Sequence, residues 1–357
     1  MHKDGDELIL KGDAARIAAR RLATIPTSVK NQALANIANS LQSRQEELLE
    51  ANLKDCLIGE QNHLSEATLD RLRLSQNRLD SIGEDVMKIA SLSDPIGETF
   101  DSKTMSNGLQ ISKKRVPLGV VGVIYESRPN ITIDLATLCI KSGNAVILRG
   151  GKEAINSNIA ITSIVKESIA EAELPSDSVQ LIESTDREIV GRMLRMNHII
   201  DLIIPRGGAD LVRRVADEAQ MPAITGGIGV CHTYVDKDAD INMAVNIVNN
   251  AKVQRPSVCN ALDTVIVHSD IAQKYLSRIA NLWAKSGVEM RCDPRAVSLL
   301  NSYKTGVNII PAKAEDWGTE FLAMTAAVKL VNSFDEAIEH IESYGSGHSE
   351  AIVTDNP

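Results

Sequence analysis

The chain has 357 residues but only two tryptophans, five tyrosines and three phenylalanines. So few rings leave little for base-stacking platforms. Positive charge is also short: 38 Lys and Arg against 47 Asp and Glu give a net charge of −9. A nucleic-acid footprint needs a basic face, so the balance argues against that partner class. The five cysteines, at 56, 139, 231, 259 and 292, are scattered and form no C-x-x-C pair. That speaks against a disulfide framework and a zinc cluster, and no metal is expected. No apolar run approaches the roughly 18 residues of a membrane span. The first residues, Met1 to Glu7, lack the apolar segment of an export signal, so a reducing cytoplasm is the expected setting. There is no G-x-x-x-x-G-K-[ST] phosphate loop, and no G-x-G-x-x-G follows a strand.

What is present describes an ordinary globular protein. At about 150 residues per domain the length suggests two or three domains. The spacing of Ala33, Leu34, Ile37, Leu41, Leu48 and Leu49 predicts helices over 12–91, with Thr27-Ser28 as an N-cap. Leu109 to Arg115 reads as a charged edge strand. From Pro117 short apolar runs alternate with helices: strands Leu118–Tyr125, Ala145–Leu148, Val179–Ile182 and Ile199–Ile204, and helices near 132–141, 153–173, 187–196 and 208–219. Near-continuous apolar strands between helices mark a parallel sheet covered on both faces. Residues 116–232 are therefore expected to form a doubly wound α/β domain with the helices of 12–91 packed around it. A second alternation starts at Val230 to Val235. It runs through a helix near 239–252, the strand Leu262–Val267 and a helix near 270–286, and reaches to about 345.

Three polar segments stand out. Arg149-Gly150-Gly151-Lys152-Glu153 follows a strand and opens a helix, and Arg206-Gly207-Gly208 repeats the arrangement. A basic residue, two glycines and a helix N-terminus make an anion site, although two ordinary glycine turns would read the same way. In Gln254-Arg255-Pro256-Ser257-Val258-Cys259-Asn260, Cys259 is flanked by turn-forming and hydrogen-bonding residues. It is a candidate nucleophile, while Cys139 and Cys231 sit in apolar stretches as small core residues. Tyr125-Glu126-Ser127-Arg128-Pro129-Asn130 places polar groups at a strand's carboxyl end, where a capped turn with Asn130 as N-cap is the plain alternative.

These segments, with the longer runs Val116 to Asn130, Lys141 to Gly151 and Gln254 to Asn260, resemble the gamma-glutamyl phosphate reductases of the aldehyde dehydrogenase superfamily. The resemblance runs from about residue 10 to the end. It implies an aldehyde-dehydrogenase-like fold of two doubly wound α/β domains with a small oligomerisation element. Residues 1–101 and 116–232 would form the cofactor-binding domain, 102–115 the oligomerisation strand and 233–345 the catalytic domain. Residues 346–357 would begin a return to the cofactor domain.

The resemblance implies NADPH-dependent reduction of L-glutamyl 5-phosphate to L-glutamate 5-semialdehyde in L-proline biosynthesis. The substrate would be handed over by glutamate 5-kinase, and the enzyme would be a homo-oligomer. Cys259 would be the nucleophile, with Asn130 and the Cys259 backbone N–H as oxyanion donors. Arg149, Gly150, Gly151, Lys152, Arg206, Gly207, Gly208 and Glu320 would bind the cofactor. Glu320 would hold the nicotinamide ribose, and Lys152 would replace the carboxylate that favours NAD. Arg128, Arg255 and Asn260 would bind the substrate. Hydrolytic members carry a general-base glutamate where this chain reads Ala223-Ile224-Thr225-Gly226-Gly227, so no water-activating carboxylate is expected. Family members continue beyond the equivalent of Pro357, and self-association and full activity are expected to depend on such a segment. Two alternatives are a CoA-acylating aldehyde dehydrogenase and a cofactor-binding relative without turnover.

Overall fold

The computed structural model describes residues 6–226, 228–303 and 306–357, without the side chains of Ala67 and Ala209. Met1 to Gly5 of the N-terminal segment and Gly227 of the base-free segment thus lie outside the described residues. The chain divides into two compact units, Met1–Gly226 and Gly227–Pro357.

The first unit opens with α1 (Glu7–Leu22), α2 (Thr27–Ser43), α3 (Gln45–Gln61), α4 (Glu66–Leu72) and α5 (Gln76–Ser91). The stripe Ala33, Leu34, Ile37 and Leu41 is buried, as its three- and four-residue spacing requires. Thr27 does not cap α2. It is the first helical residue after Pro26, and its hydroxyl donates to Asp94 Oδ2 at 2.7 Å, beside the buried ion pair Lys30–Asp94. Next, β1 (Thr99–Thr104) and β2 (Gln110–Lys114) form an antiparallel hairpin with every residue exposed. The element expected over 102–115 thus takes in the end of β1 and all of β2, and the edge strand read at Leu109 to Arg115 is the second arm of a ribbon that begins at Thr99.

The rest of this unit is β3 (Val120–Tyr125), α6 (Asn130–Lys141), β4 (Ala145–Arg149), α7 (Ile155–Glu171), β5 (Val179–Leu181), α8 (Glu188–Met193), β6 (Leu202–Arg206) and α9 (Ala209–Glu218). Its strands pair in parallel in the order β5-β4-β3-β6. The strands β3 and β4 are buried along their whole length, which explains their unbroken apolar runs. The order reverses at β3, so the carboxyl ends of β3 and β6, with Tyr125 opposite Arg206, form a topological switch point. At the other end of β3, Gly119 has φ +125°, and a Cβ there would lie 2.1 Å from Asp201 Oδ2. Only glycine lets that carboxylate reach the Val120 N–H at 2.8 Å.

The second unit holds β7 (His232–Val235), α10 (Ile241–Val253), β8 (Thr264–His268), α11 (Ser269–Ser286), β9 (Glu289–Cys292), α12 (Pro294–Leu300), β10 (Asn308–Pro311), β11 (Thr325–Val331), α13 (Phe334–Tyr344) and β12 (Glu350–Val353). All six strands run parallel, in the order β10-β9-β11-β8-β7-β12. Residues 346–357 were expected to start a return to the first domain. Instead β12 pairs with β7, with Glu350 opposite His232, because it offers that edge a complete ladder of backbone partners.

Candidate active site

In the first unit the candidate residues gather at the switch point. Asn130 opens α6 without capping it, and its amide donates to Asp134 Oδ2 at 3.0 Å. Arg128 is exposed, and its carbonyl accepts the Ile131 N–H at 3.1 Å. Ser127 has φ 42°, a strained value for a residue with a side chain. Glu153 Oε1 holds it there, accepting from both its N–H and its hydroxyl at 2.7 Å. The β3 and β4 loops are thereby tied together.

Neither glycine pair presents a bare helix N-terminus. At α7, Asp55 from α3 accepts the Asn156 N–H at 3.1 Å and the Ser157 N–H at 2.8 Å, and it also takes the Ser157 hydroxyl at 2.6 Å. At α9, Glu126 Oε2 accepts the Gly208 N–H at 2.9 Å. A Cβ on Gly207 would lie 2.6 Å from that same oxygen. At the second pair an internal carboxylate occupies the position where the sequence suggested a bound phosphate, while at the first pair Asp55 takes N–H groups of α7 itself, beyond the turn Lys152–Ala154. Spacing could not show this, since Asp55 lies 101 residues before Asn156. Arg149 also turns inward: it is buried, and its Nη2 donates to the carbonyls of Thr185 and Asp186 at 3.2 and 3.3 Å. Burial lowers its affinity for a proton. Lys152 and Arg206 are exposed.

In the second unit the α10–β8 loop carries Arg255, Cys259 and Asn260, all exposed. The other four cysteines are buried. Burial raises the Cys56 thiol and pushes Cys139 and Cys292 up to about 12 and Cys231 to about 11. A thiol held that high has almost no thiolate at neutral pH. One stretch, Gly229 to Cys231, crowds the Cys259 carbonyl. The Cys231 thiol donates to it at 3.2 Å, and a Cβ on Gly229 would lie 2.1 Å from it. The same Cβ would lie 3.3 Å from Glu320 Oε1, so Glu320 stands beside the cysteine loop. The next residue but one, Leu322, has a left-handed φ of 48°. Beneath the loop lie Lys252 and Asp263, two buried charged residues that the sequence pattern did not single out.

The aldehyde dehydrogenase family model matches residues 4–298. A gamma-glutamyl phosphate reductase of Dehalococcoides mccartyi is 51% identical over 350 residues, covering 98% of this chain and 82% of its own length. The chain belongs to the gamma-glutamyl phosphate reductase family. Another member, from Heliobacterium modesticaldum, is 48% identical over 98% of this chain and 82% of its own. The crystal structure of the gamma-glutamyl phosphate reductase from Thermotoga maritima superposes with TM-score 0.93 at 42% identity, over 98% of this chain and 83% of that one. A propionaldehyde dehydrogenase from Clostridium phytofermentans, 17% identical with TM-score 0.67 over 99% of this chain and 84% of that one, shares the fold alone.

Reductases of this family use a nicotinamide cofactor, and the first unit has features that suit one. Arg149 Nε and Asn158 Nδ2 are buried donors with no partner among the described residues. Asn158 Nδ2 would lie 2.2 Å from a Cβ on Gly150, directly against the turn. Orphan donors match a ligand rich in acceptor oxygens. The exposed cations Lys152 and Arg206 stand in the loops after β4 and β6. In the base-free segment Ile224 is 57% exposed, and Ala223 to Gly226 carry no carboxylate.

Proposed function

We propose that this chain reduces L-glutamyl 5-phosphate to L-glutamate 5-semialdehyde with NADPH and releases phosphate, as a step of L-proline biosynthesis. The observation that carries this reading is the contrast among the five thiols: Cys259 is exposed in a polar loop, and the other four are buried. Its thiolate attacks the acyl carbon of the acyl phosphate. A C–S bond forms, the bond to the phosphate oxygen breaks, and phosphate leaves with the electron pair. NADPH, when bound, supplies the hydride that converts the thioester to the aldehyde and frees the thiolate. The sequence match sets Ala223-Ile224-Thr225-Gly226, without a carboxylate, where hydrolytic relatives keep a base, and this supports a thioester that water does not consume.

Glu320 beside the cysteine loop supports its reading as the ribose-holding residue. The exposed Lys152 supports NADP over NAD. Arg128, Arg255 and Asn260, all exposed, are assigned to the two anionic ends of the substrate. The oxyanion roles of Asn130 and of the Cys259 N–H rest on the sequence match. The substrate is an acyl phosphate, so a kinase acting on glutamate must supply it. The exposed β1–β2 hairpin, which shows Phe100 and Ile111 to solvent, is the face assigned to self-association.

The test is the reverse reaction with NADP, glutamate semialdehyde and phosphate. Reduction of NADP should require phosphate and ignore CoA. A rate that persists without phosphate, or that requires CoA, would overturn the reading.

A further inference from the structure

The cysteine loop hangs from a neck closed by two bonds. The Leu262 N–H donates to the Ala251 carbonyl at 3.0 Å, and the Lys252 ammonium donates to the Leu262 carbonyl at 2.6 Å. Lys252 has no exposed surface. A methionine would fill much the same space without the cost of burying a charge, so the ammonium calls for a reason. Asp263, only 2% exposed, continues the neck. Its own N–H donates to the Cys231 carbonyl at 3.0 Å, and its carbonyl accepts the Ala327 N–H at 2.7 Å. Its carboxylate accepts the Cys231 N–H at 3.2 Å on one oxygen and the Phe321 N–H at 3.0 Å on the other.

One carboxylate thus fixes the two segments that flank Cys259. The first carries Gly229 and Cys231, whose thiol holds the Cys259 carbonyl. The second carries Glu320. A carbonyl held in place fixes the plane of its peptide, which restricts the Cys259 backbone and the direction of its sulfur. Burial lowers Lys252 to about 8 and raises Asp263, and each charge partly restores the other.

We propose that Lys252 and Asp263 are positioning residues for the chemistry of Cys259, holding the neck of its loop, the Gly229–Cys231 segment against its carbonyl and the Glu320–Phe321 segment beside Gly229. This rests on Cys259 being the nucleophile. A nucleophile misplaced by about 1 Å loses on the order of a hundredfold in rate, so a rigid loop is a catalytic requirement.

The experiment compares Cys259→Ala, Lys252→Met, Asp263→Asn and the double variant Lys252→Met/Asp263→Asn in the full chain. Activity is normalised to folded protein by circular dichroism. Activity retained in Cys259→Ala would refute the nucleophile reading itself. With that variant inactive, Lys252→Met should lower kcat at least tenfold while KM for the acyl phosphate stays within threefold. Asp263→Asn should lower kcat similarly and also raise KM for NADPH, because the Glu320 segment loosens. The double variant leaves no unpaired charge buried, so its Tm should lie close to wild type while kcat stays at least tenfold down. A folded double variant with kcat within twofold of wild type would overturn the proposal. So would failure of all three neck variants to fold, which is the behaviour of a purely structural pair.

Discussion

Glu126 supplies the anion at its own switch point: its Oε2 accepts the Gly208 N–H at the start of α9, 2.9 Å away. A carboxylate and a phosphate cannot share that position, so cofactor phosphate at the Gly207–Gly208 turn must displace Glu126. Glu126→Gln removes the charge and keeps an acceptor. It should lower stability by about 0.3–1 kcal/mol, the usual value of a negative charge at a helix N-terminus. It should also lower KM for NADPH at least twofold. An unchanged KM would show that the phosphates bind elsewhere.

Arg149 and Lys152 are three residues apart and should behave oppositely. Arg149 is buried against two carbonyls, and Arg149→Met should cost roughly 1–3 kcal/mol by leaving acceptors unpaired. Its effect should appear in chemical denaturation more than in cofactor discrimination. Lys152 is exposed, and Lys152→Glu should leave stability within about 0.5 kcal/mol. That variant should weaken NADPH binding at least tenfold and barely alter NADH binding. Equal losses for both cofactors would remove Lys152 from the 2′-phosphate.

The legibility of this chain in its sequence follows physical lines. Parallel strands buried on both faces are continuous apolar runs, so the alternation from Val120 to Glu218 could be read almost element by element. The strands after Ser286 were harder, because β9 and β10 alternate or show polar ends. Composition found the Cys259 loop, but the carboxyl-end rule would have missed it. Cys231, Asp263 and Phe321 precede β7, β8 and β11, so this cluster lies at the amino ends of the second sheet. Asp55 at α7 and Asp263 under the cysteine loop are contacts between segments far apart in sequence. No local pattern encodes them.

Two buried histidines make the stability of the second unit depend on pH. His232 and His340 pack edge to face at 5.6 Å, and Trp317 and Tyr344 contact His340. His340 Nε2 and His232 Nε2 have no hydrogen-bond partner among the described residues, while His232 Nδ1 lies 3.2 Å from Glu350 Oε2. Burial lowers both histidines to about 4. The native state then binds fewer protons than the unfolded chain between about pH 4 and 6.5, so their contribution to stability is lost as pH falls through that window. Glu350, raised to about 7 by burial, works in the opposite direction as pH rises from roughly 4.5 to 7. His340→Phe keeps the ring packing and removes one titrating group. Denaturant melts should show it about 1–2 kcal/mol more stable than wild type at pH 5 relative to pH 7.5. An identical pH dependence in both proteins would contradict the buried neutral ring.

Cys259 as acyl carrier is tested most directly by intact-protein mass spectrometry of the enzyme mixed with glutamyl phosphate in the absence of NADPH. Wild type should gain the mass of one glutamyl group on Cys259, lose it to hydroxylamine, and release one equivalent of phosphate. Cys259→Ala, with unchanged Tm, should gain nothing and retain less than a hundredth of the activity. A glutamyl adduct or a tenth of wild-type turnover in Cys259→Ala would contradict the account.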